Sequence, residues 1–254
     1  MGHTVRMDRQ MISRLAHAHH PIAAPVSDGA VATLLERALA PEDEGRVLDL
    51  GCGQGGWLLR ALVARPRWRA VGVDLDAAAL TRARESAEAA GVQRRLGLHH
   101  LDAREFTARE PFELILNVGA THSFGGLLPT LAAAREHLAP GGRVLVGECF
   151  WECEPSSAAL GSLGSAREEY ADLATTVDRV VADGWTPVFG HVSSRPEWDA
   201  YEFSWTGSLA AWALDHPEHP DAADARAAAD LHRAEWLHGY RGTLGFVTLL
   251  LRRD

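Results

Sequence analysis

Asp49 precedes a cluster of glycines, and the spacing of these residues predicts a ligand-binding turn. Two patterns overlap within residues 47–56: G-x-G-x-x-G, which is typical of dinucleotide-binding turns, and D-x-G-x-G-x-G. The glycines concerned are Gly51, Gly53, Gly55 and Gly56. Glycines leave the backbone open to a ligand, and the following helix offers unpaired N–H groups. Because a buried carboxylate is costly without a partner, Asp49 indicates either a ligand with a cationic group or a turn whose N–H groups bond to this carboxylate.

Two more carboxylates lie at the ends of predicted strands. Asp74, with Leu75 after it, follows the glycine turn by roughly the twenty residues at which an acidic side chain binds ribose hydroxyls. A helix N-cap is the alternative for Asp74, but Asp76 is better placed for that role. Asp102 can accept a hydrogen bond from an exocyclic amino group while the N–H of Ala103 donates to a ring nitrogen. The alternative for Asp102 is capping of a loop.

Candidate catalytic groups follow the fourth and fifth predicted strands. Asn117 ends the fourth strand, and Gly119 would again let a ligand approach the backbone. His122 could act as a base near neutral pH, since an unperturbed imidazole has a pKa near 6.5, or it could only shape the pocket. Glu148 is the second candidate base, and its alternative role is to anchor the substrate or the N-terminal segment.

The elements that position these residues alternate between strand and helix. Apolar runs and turn signals predict strands at 46–50, 70–74, 96–101, 112–118 and 143–150, with helices between them. This order implies a doubly wound, mostly parallel α/β sheet, whose ligands bind at the carboxyl ends of the strands. A strand at 185–193 and a final strand at 244–251 complete the pattern.

These motifs together resemble those of class I S-adenosylmethionine-dependent methyltransferases, over about residues 27–150. The resemblance rests on residues 47–55, 72–74, 101–103, 117–122 and 140–142, in that order. It implies a seven-stranded sheet with the last strand inserted antiparallel, and S-adenosylmethionine as cofactor. By this likeness Asp49 and the turn, including Cys52, would hold the methionine part. Asp74 would bind the ribose, Asp102 and Ala103 the adenine, and the backbone around Asn117 and Gly119 would line the methionine end.

The remaining segments are expected to surround the acceptor. We predict a single domain, 1–254, with an N-terminal helical lid (1–45, including a helix at 7–19), a cofactor-binding core (46–150) and a C-terminal part (151–254). That part would carry a helix at 165–182 and a helical insertion at 197–240. Aromatic and imidazole side chains could wall the substrate, although packing and turn roles remain open; they are His20, Trp151, Tyr201 and Trp205.

Composition limits the class of function. The net charge of −9 disfavours nucleic-acid binding, and the chain contains no lysine, which excludes a P-loop or Schiff-base lysine. We expect no metal, no membrane-spanning segment, no signal peptide and a cytoplasmic location. The sequence predicts methyl transfer to an O or N nucleophile of a small molecule. Rivals are an NAD-dependent oxidoreductase, a non-catalytic S-adenosylmethionine-binding protein and a protein that uses the cofactor for another reaction such as cyclisation.

Overall fold

The computed structural model describes residues 7, 9–20, 22–39 and 44–253. Its centre is a sheet of seven strands in the order β3-β2-β1-β4-β5-β7-β6. The strands are β1 (Arg46–Leu50), β2 (Arg69–Asp74), β3 (Leu96–His100), β4 (Phe112–Val118), β5 (Leu138–Trp151), β6 (Thr186–Val192) and β7 (Leu244–Arg252). Strands β1 to β5 are parallel, and β7 runs antiparallel between β5 and β6. The expected α/β sheet with an inserted last strand is confirmed.

Helices cover both faces of the sheet because its strands are apolar on both faces. In the described part of the chain they are α1 (Arg9–Ala16), α2 (Asp28–Ala38), α3 (Gly56–Ala64), α4 (Ala77–Ala89), α5 (Leu127–His137), α6 (Ser157–Leu163), α7 (Leu173–Ala182), α8 (Arg195–Asp215) and α9 (Ala222–Glu235). Helices α2, α3 and α4 pack on one face, and α5 and α7 pack on the other. Neighbouring residues of β1 serve opposite cores: Val47 faces the first group and Leu48 the second.

The boundaries differ from expectation in the C-terminal half. Helix α6 was not predicted, and the helix expected over 165–182 begins only at Leu173, because the side chain of Asp172 caps it by accepting the Thr175 N–H at 2.9 Å. Strand β5 is longer than the predicted 143–150. The insertion at 197–240 consists mainly of α8 and α9, which pack on each other, and none of the described helices is long and apolar enough to cross a membrane.

The N-terminal segment lies against the insertion. Helix α1 is shorter than the predicted 7–19, and it packs on α8. Residues 1–6, 8, 21 and 40–43 of the predicted lid lie outside the described residues. Glu197 joins the start of α8 to the start of α2, because its carboxylate accepts both the N–H and the hydroxyl of Ser27, at 3.0 and 2.6 Å. This tie holds the segment around residues 22–27 near the carboxyl edge of the sheet.

Candidate active site

A cavity of 240 Å³ lies at the carboxyl ends of β1 and β2. It brings together six of the ten predicted cofactor residues: Asp49, Gly51, Cys52, Gly53, Asp74 and Gly119. Helix α1 and the segment after it close one side, through Ser13, His17, Ile22 and Ala23. The strand-end acids and the glycine turn therefore form one site, although they are distant in sequence.

The turn is held by Asp74 and by the backbone of β2, and not by Asp49. The N–H groups of Gly51 and Cys52 both donate to the carbonyl oxygen of Val73, at 2.9 and 3.0 Å. The N–H of Gly53 donates to Asp74 Oδ2 at 2.7 Å. The alternative in which Asp49 organises the turn through these N–H groups is thus not what the structure shows. Asp76 caps α4 as expected, by accepting the N–H groups of Ala78 and Ala79.

Asp49 is a buried carboxylate beside a second carboxylate. Its side chain is 2% exposed. Burial, and then the charge of Asp74, raise its pKa well above the usual range. A cationic group placed in the cavity would favour the ionised form of Asp49 and so lower its pKa. The methionyl ammonium of S-adenosylmethionine has this character, so the residues present fit the cofactor.

The end of β4 lies between the glycine turn and the N-terminal segment. Asn117 is 1% exposed, and its amide donates to the Leu50 carbonyl oxygen. Its buried Oδ1 has no hydrogen-bond partner among the described residues. Gly119 has φ +86°, and a Cβ there would lie 3.0 Å from the carbonyl oxygen of Ala23. A side chain at 119 would therefore make a tight contact with this segment and require it to shift.

The predicted adenine side lies outside this cavity. Leu75 is 62% exposed, and its carbonyl oxygen accepts from His100 Nε2 at 3.0 Å. Asp102 caps a short turn and pairs with Arg104, whose hydrogen bonds lower the pKa of Asp102 to about 2. Asp102, Ala103 and Leu75 do not line the cavity among the described residues. Asp102 thus takes the loop-capping role that the sequence left open.

A second cavity, of 650 Å³, adjoins the first, and Gly119 lines both. We call it the acceptor cavity. Both candidate bases, His122 and Glu148, line it, and His122 is exposed. The other lining residues used below are Thr121, Cys149, Glu168, Glu169, Tyr170, Arg179 and Phe246.

Glu148 is held in place by two donors at the mouth of β5. It accepts the hydroxyl of Thr121 and the N–H of Cys149, the latter at 2.9 Å. Burial is the largest influence on this carboxyl and raises its pKa, and the charge of Glu169 acts in the same direction. A carboxylate with a raised pKa is a better proton acceptor near neutral pH than an ordinary one. Glu148 is therefore better suited to the role of base than an exposed glutamate would be.

The four predicted substrate residues are not brought together in the acceptor cavity. His20 and Tyr201 meet edge to face, with ring centroids 5.3 Å apart, beside His17, whose Nε2 lies 3.1 Å from the Tyr201 hydroxyl. They join the N-terminal segment to α8.

The two predicted tryptophans have packing roles. Trp151 is 6% exposed; it donates to the carbonyl oxygen of Arg167 at 2.9 Å and packs edge-on against Tyr170, so it supports the cavity wall from behind. Trp205 stacks on His232 between α8 and α9, with ring centroids 3.9 Å apart. Neither lines the acceptor cavity among the described residues; Trp151 is buried and Trp205 is partly buried.

Sequence reasoning did not find several of the residues that surround the two cavities. Arg82, Trp57 and Ile22 line the first cavity, and Glu169, Tyr170 and Arg179 line the second. These side chains come from helix faces and loops, and no motif marks them. The one available signal is the run of charged residues at 167–169, directly before Tyr170.

Comparisons with known proteins agree with this geometry. Residues 47–142 match the family model described as a methyltransferase domain. The crystal structure of an S-adenosylmethionine-dependent methyltransferase from Geobacter sulfurreducens, in complex with S-adenosyl-L-homocysteine, has a TM-score of 0.87 and 26% identity. That match covers 98% of this chain and all (100%) of the other. The protein is a class I S-adenosylmethionine-dependent methyltransferase.

Two curated proteins extend the comparison. The uncharacterized protein YjhP of Escherichia coli K12 is 28% identical over 228 residues, which are 89% of this chain and 91% of that protein. A trans-aconitate 2-methyltransferase from Streptomyces avermitilis is 35% identical over 130 residues, but the match covers 50% of this chain and 46% of that protein. The match to YjhP thus includes the C-terminal half, which contains the α7 and β7 residues that line the acceptor cavity.

Proposed function

We propose that this protein transfers a methyl group to an O or N nucleophile of a small molecule bound in the acceptor cavity. The observation that carries this proposal is the meeting of the two cavities at Gly119, with Glu148 on the acceptor side. When bound, S-adenosylmethionine supplies an electrophilic methyl group. Alignment of a nucleophile with such a group can contribute about 7–11 kcal/mol to catalysis.

The protein's own residues would divide the work. Asp49, Asn117 and the turn at Gly51 and Gly53 would hold the methionine part, and Asp74 the ribose. Asp102 and Ala103 are proposed for the adenine, as the sequence suggested, provided that Asp102 exchanges its partner Arg104 for the base. Leu75, Cys52 and Gly119 would complete the contact surface.

Proton removal is the second task. Glu148 would take the proton of the acceptor, and a general base of this kind contributes about 10²–10⁴-fold. His122 is the alternative base. Because His122 is exposed and Glu148 is held by two donors, Glu148 is the stronger candidate. We also propose that the N-terminal segment acts as a lid, that the C-terminal part surrounds the acceptor, and that the protein is cytoplasmic and binds no nucleic acid.

The test is product profiling. Purified protein is incubated with S-adenosylmethionine and a metabolite extract, and both S-adenosylhomocysteine and newly methylated compounds are followed by mass spectrometry. We expect both to form, and Glu148→Gln to slow their formation about 10²-fold or more. Cofactor binding without S-adenosylhomocysteine release for any acceptor would favour a binding protein, and a rearranged but unmethylated product would favour another reaction on the same cofactor.

A further inference from the structure

Carboxylates dominate the charged lining of the acceptor cavity. Glu148, Glu168 and Glu169 face one guanidinium, that of Arg179. Glu168, Glu169 and Arg179 are exposed, whereas Glu148 is partly buried. Gly119 lines this cavity and also the 240 Å³ cavity at β1 and β2, which we call the cofactor cavity. Three carboxylates against one guanidinium make the charged lining of this cavity negative on balance. A cleft lined mainly by one sign of charge concentrates ligands of the opposite sign.

Glu169 and Glu148 form the negative end of the cavity together. Both carboxylates line the same cavity as Cys149 and Tyr170. After burial, the negative charges of Glu148 and Glu169 each raise the pKa of the Cys149 thiol and of the Tyr170 phenol. The hydroxyl of Tyr170 also forms a hydrogen bond with Glu169, in which the phenol donates. Two carboxylates that line one cavity repel each other, and a cation bound between them would relieve this repulsion.

The uncharged wall of the same cavity is aromatic. Tyr170 and Phe246 both line it, and Trp151 supports Tyr170 from behind at a centroid distance of 5.3 Å. Aromatic faces attract ammonium groups, and carboxylates beside them strengthen this attraction. Carboxylate, phenol and phenyl groups around one cavity are the surroundings that suit an amine.

We propose that the methyl acceptor is a small primary or secondary amine, which binds as an ammonium ion between Glu148 and Glu169. This inference rests on the proposed function and names its acceptor class. The ammonium gives one proton to the carboxylate of Glu148, and the freed electron pair on nitrogen forms the bond to the methyl carbon as the carbon–sulfur bond breaks. The sulfur keeps the electrons of the broken bond, and Glu148 returns its proton to solvent. Arg179 is left to pair with an anionic group at the other end of the acceptor.

The inference is tested by binding as well as by turnover. Protein saturated with S-adenosylhomocysteine is dialysed to equilibrium against two matched pairs of compounds, benzylamine with phenylacetate and phenethylamine with 3-phenylpropionate, together with trans-aconitate. Bound and free amounts are measured by mass spectrometry. We expect the amines to be retained at least about tenfold better than the acids of the same shape.

Variants locate the binding. Glu148→Gln and Glu169→Gln should each lower amine retention at least about tenfold, whereas Glu152→Gln, an exposed carboxylate outside this cavity, should not change it. Preferential retention of carboxylates, retention of neither class, or amine retention that ignores both substitutions would overturn the inference. S-Adenosylhomocysteine affinity is measured for each variant by separate calorimetric titration, and turnover is followed in a separate incubation of the protein with S-adenosylmethionine and the metabolite extract. Methylation of an oxygen acceptor with intact cofactor binding would reject the amine while leaving methyl transfer in place.

Discussion

Gly119 lies directly under the carbonyl oxygen of Ala23, so that a Cβ on this glycine would come within 3.0 Å of that oxygen. The contact joins the fourth strand of the sheet to the N-terminal segment, at the point where the cofactor cavity meets the acceptor cavity. The segment that lines one side of the cofactor cavity thus packs so closely on residue 119 that a side chain there would require it to shift. The first prediction follows from this contact.

Gly119→Ala should weaken S-adenosylhomocysteine binding about tenfold, because the added methyl group lies 3.0 Å from the Ala23 carbonyl oxygen and shifts the segment that lines the cavity. Gly184→Ala is the matched control: Gly184 has φ +85°, close to the +86° of Gly119, but a Cβ there meets no described atom within 4 Å. Both variants should lose a similar stability through backbone strain, about 1 kcal/mol or more. Calorimetric titration and thermal unfolding separate the two effects. Equal affinity in the two variants would show that the contact with Ala23 has no role in binding.

Asp49→Asn should stabilise the empty protein at neutral pH and weaken cofactor binding. Because burial and Asp74 raise the pKa of Asp49, the folded state holds a proton that the unfolded chain loses above its ordinary pKa near 3.9. The contribution of Asp49 to the free energy of unfolding therefore falls as the pH rises from about 3.9 to the raised pKa. Asp49→Asn removes this loss of stability at higher pH. A gain of about 1 kcal/mol in the free energy of unfolding would raise Tm by about 2–4 °C.

The pH dependence of this variant is the decisive measurement. Tm is compared at pH 4 and pH 8, with Asp178→Asn, an exposed carboxylate on α7, as the charge-matched control. The gain should be larger at pH 8, and affinity for S-adenosylmethionine should fall at both values. A variant that is less stable than the natural protein at pH 8 would mean that Asp49 has a favourable partner when the site is empty.

We expect Asp74 to support cofactor binding in two ways: by holding the glycine turn and by contacting the ligand. Its carboxylate accepts the N–H groups of Gly53 and Asp76, at 2.7 and 2.8 Å. Asp74→Ala leaves both donors unpaired, and hydrogen bonds to a charged group are worth about 1.5–3 kcal/mol. We expect S-adenosylhomocysteine affinity to fall about 10–100-fold, and Asp74→Asn, which keeps one acceptor oxygen, to lie between.

Asp172→Ala provides the comparison for Asp74. Asp172 also accepts a backbone N–H, that of Thr175 at 2.9 Å, but it does not line the cofactor cavity among the described residues. Its loss should lower Tm and leave cofactor affinity unchanged. If Asp74→Ala changed only Tm, in the same manner, Asp74 would be a structural carboxylate and not a ribose ligand.

The sequence predicted the sheet and the strand-end carboxylates because both are local patterns. Asp49 and Asp74 follow apolar runs of one strand length, and parallel strands bring their carboxyl ends to the same edge. The acceptor cavity could not be predicted in this way. Glu169, Arg179 and Phe246 come from a short 3-10 helix, from α7 and from the antiparallel strand β7. Only the packing of these elements around β5 brings them into one cavity with Glu148. Trp205 is the opposite case, because its residue type and position suggested a substrate contact although it does not line the acceptor cavity among the described residues. An aromatic side chain in such a helix can equally stack on a neighbour, as Trp205 does on His232.

Glu197 should control both the stability of the protein and the closure of the cofactor site. Desolvation alone would raise the pKa of Glu197, but hydrogen bonds from Ser27 and Ser194 outweigh it and lower the pKa to about 2. A lowered carboxyl pKa stabilises the folded state above the ordinary value near 4.3, and this contribution is lost as pH falls towards 2. Glu197→Ala should cost about 1–3 kcal/mol at pH 7, with a smaller cost below pH 3.

Ser194→Ala separates helix capping from closure. It removes the N-cap of α8 and the hydroxyl bond to Glu197 Oε2, whereas both bonds from Ser27 go to Glu197 Oε1 and do not involve Ser194. Both variants should lower Tm, since loss of a cap costs about 0.5–2 kcal/mol. Only Glu197→Ala should speed amide hydrogen exchange at residues 22–27 and weaken S-adenosylhomocysteine binding, because Ile22 and Ala23 line the cofactor cavity. Faster exchange of the same residues in Ser194→Ala would mean that α8 as a whole, and not the Glu197 carboxylate, holds the segment over the site.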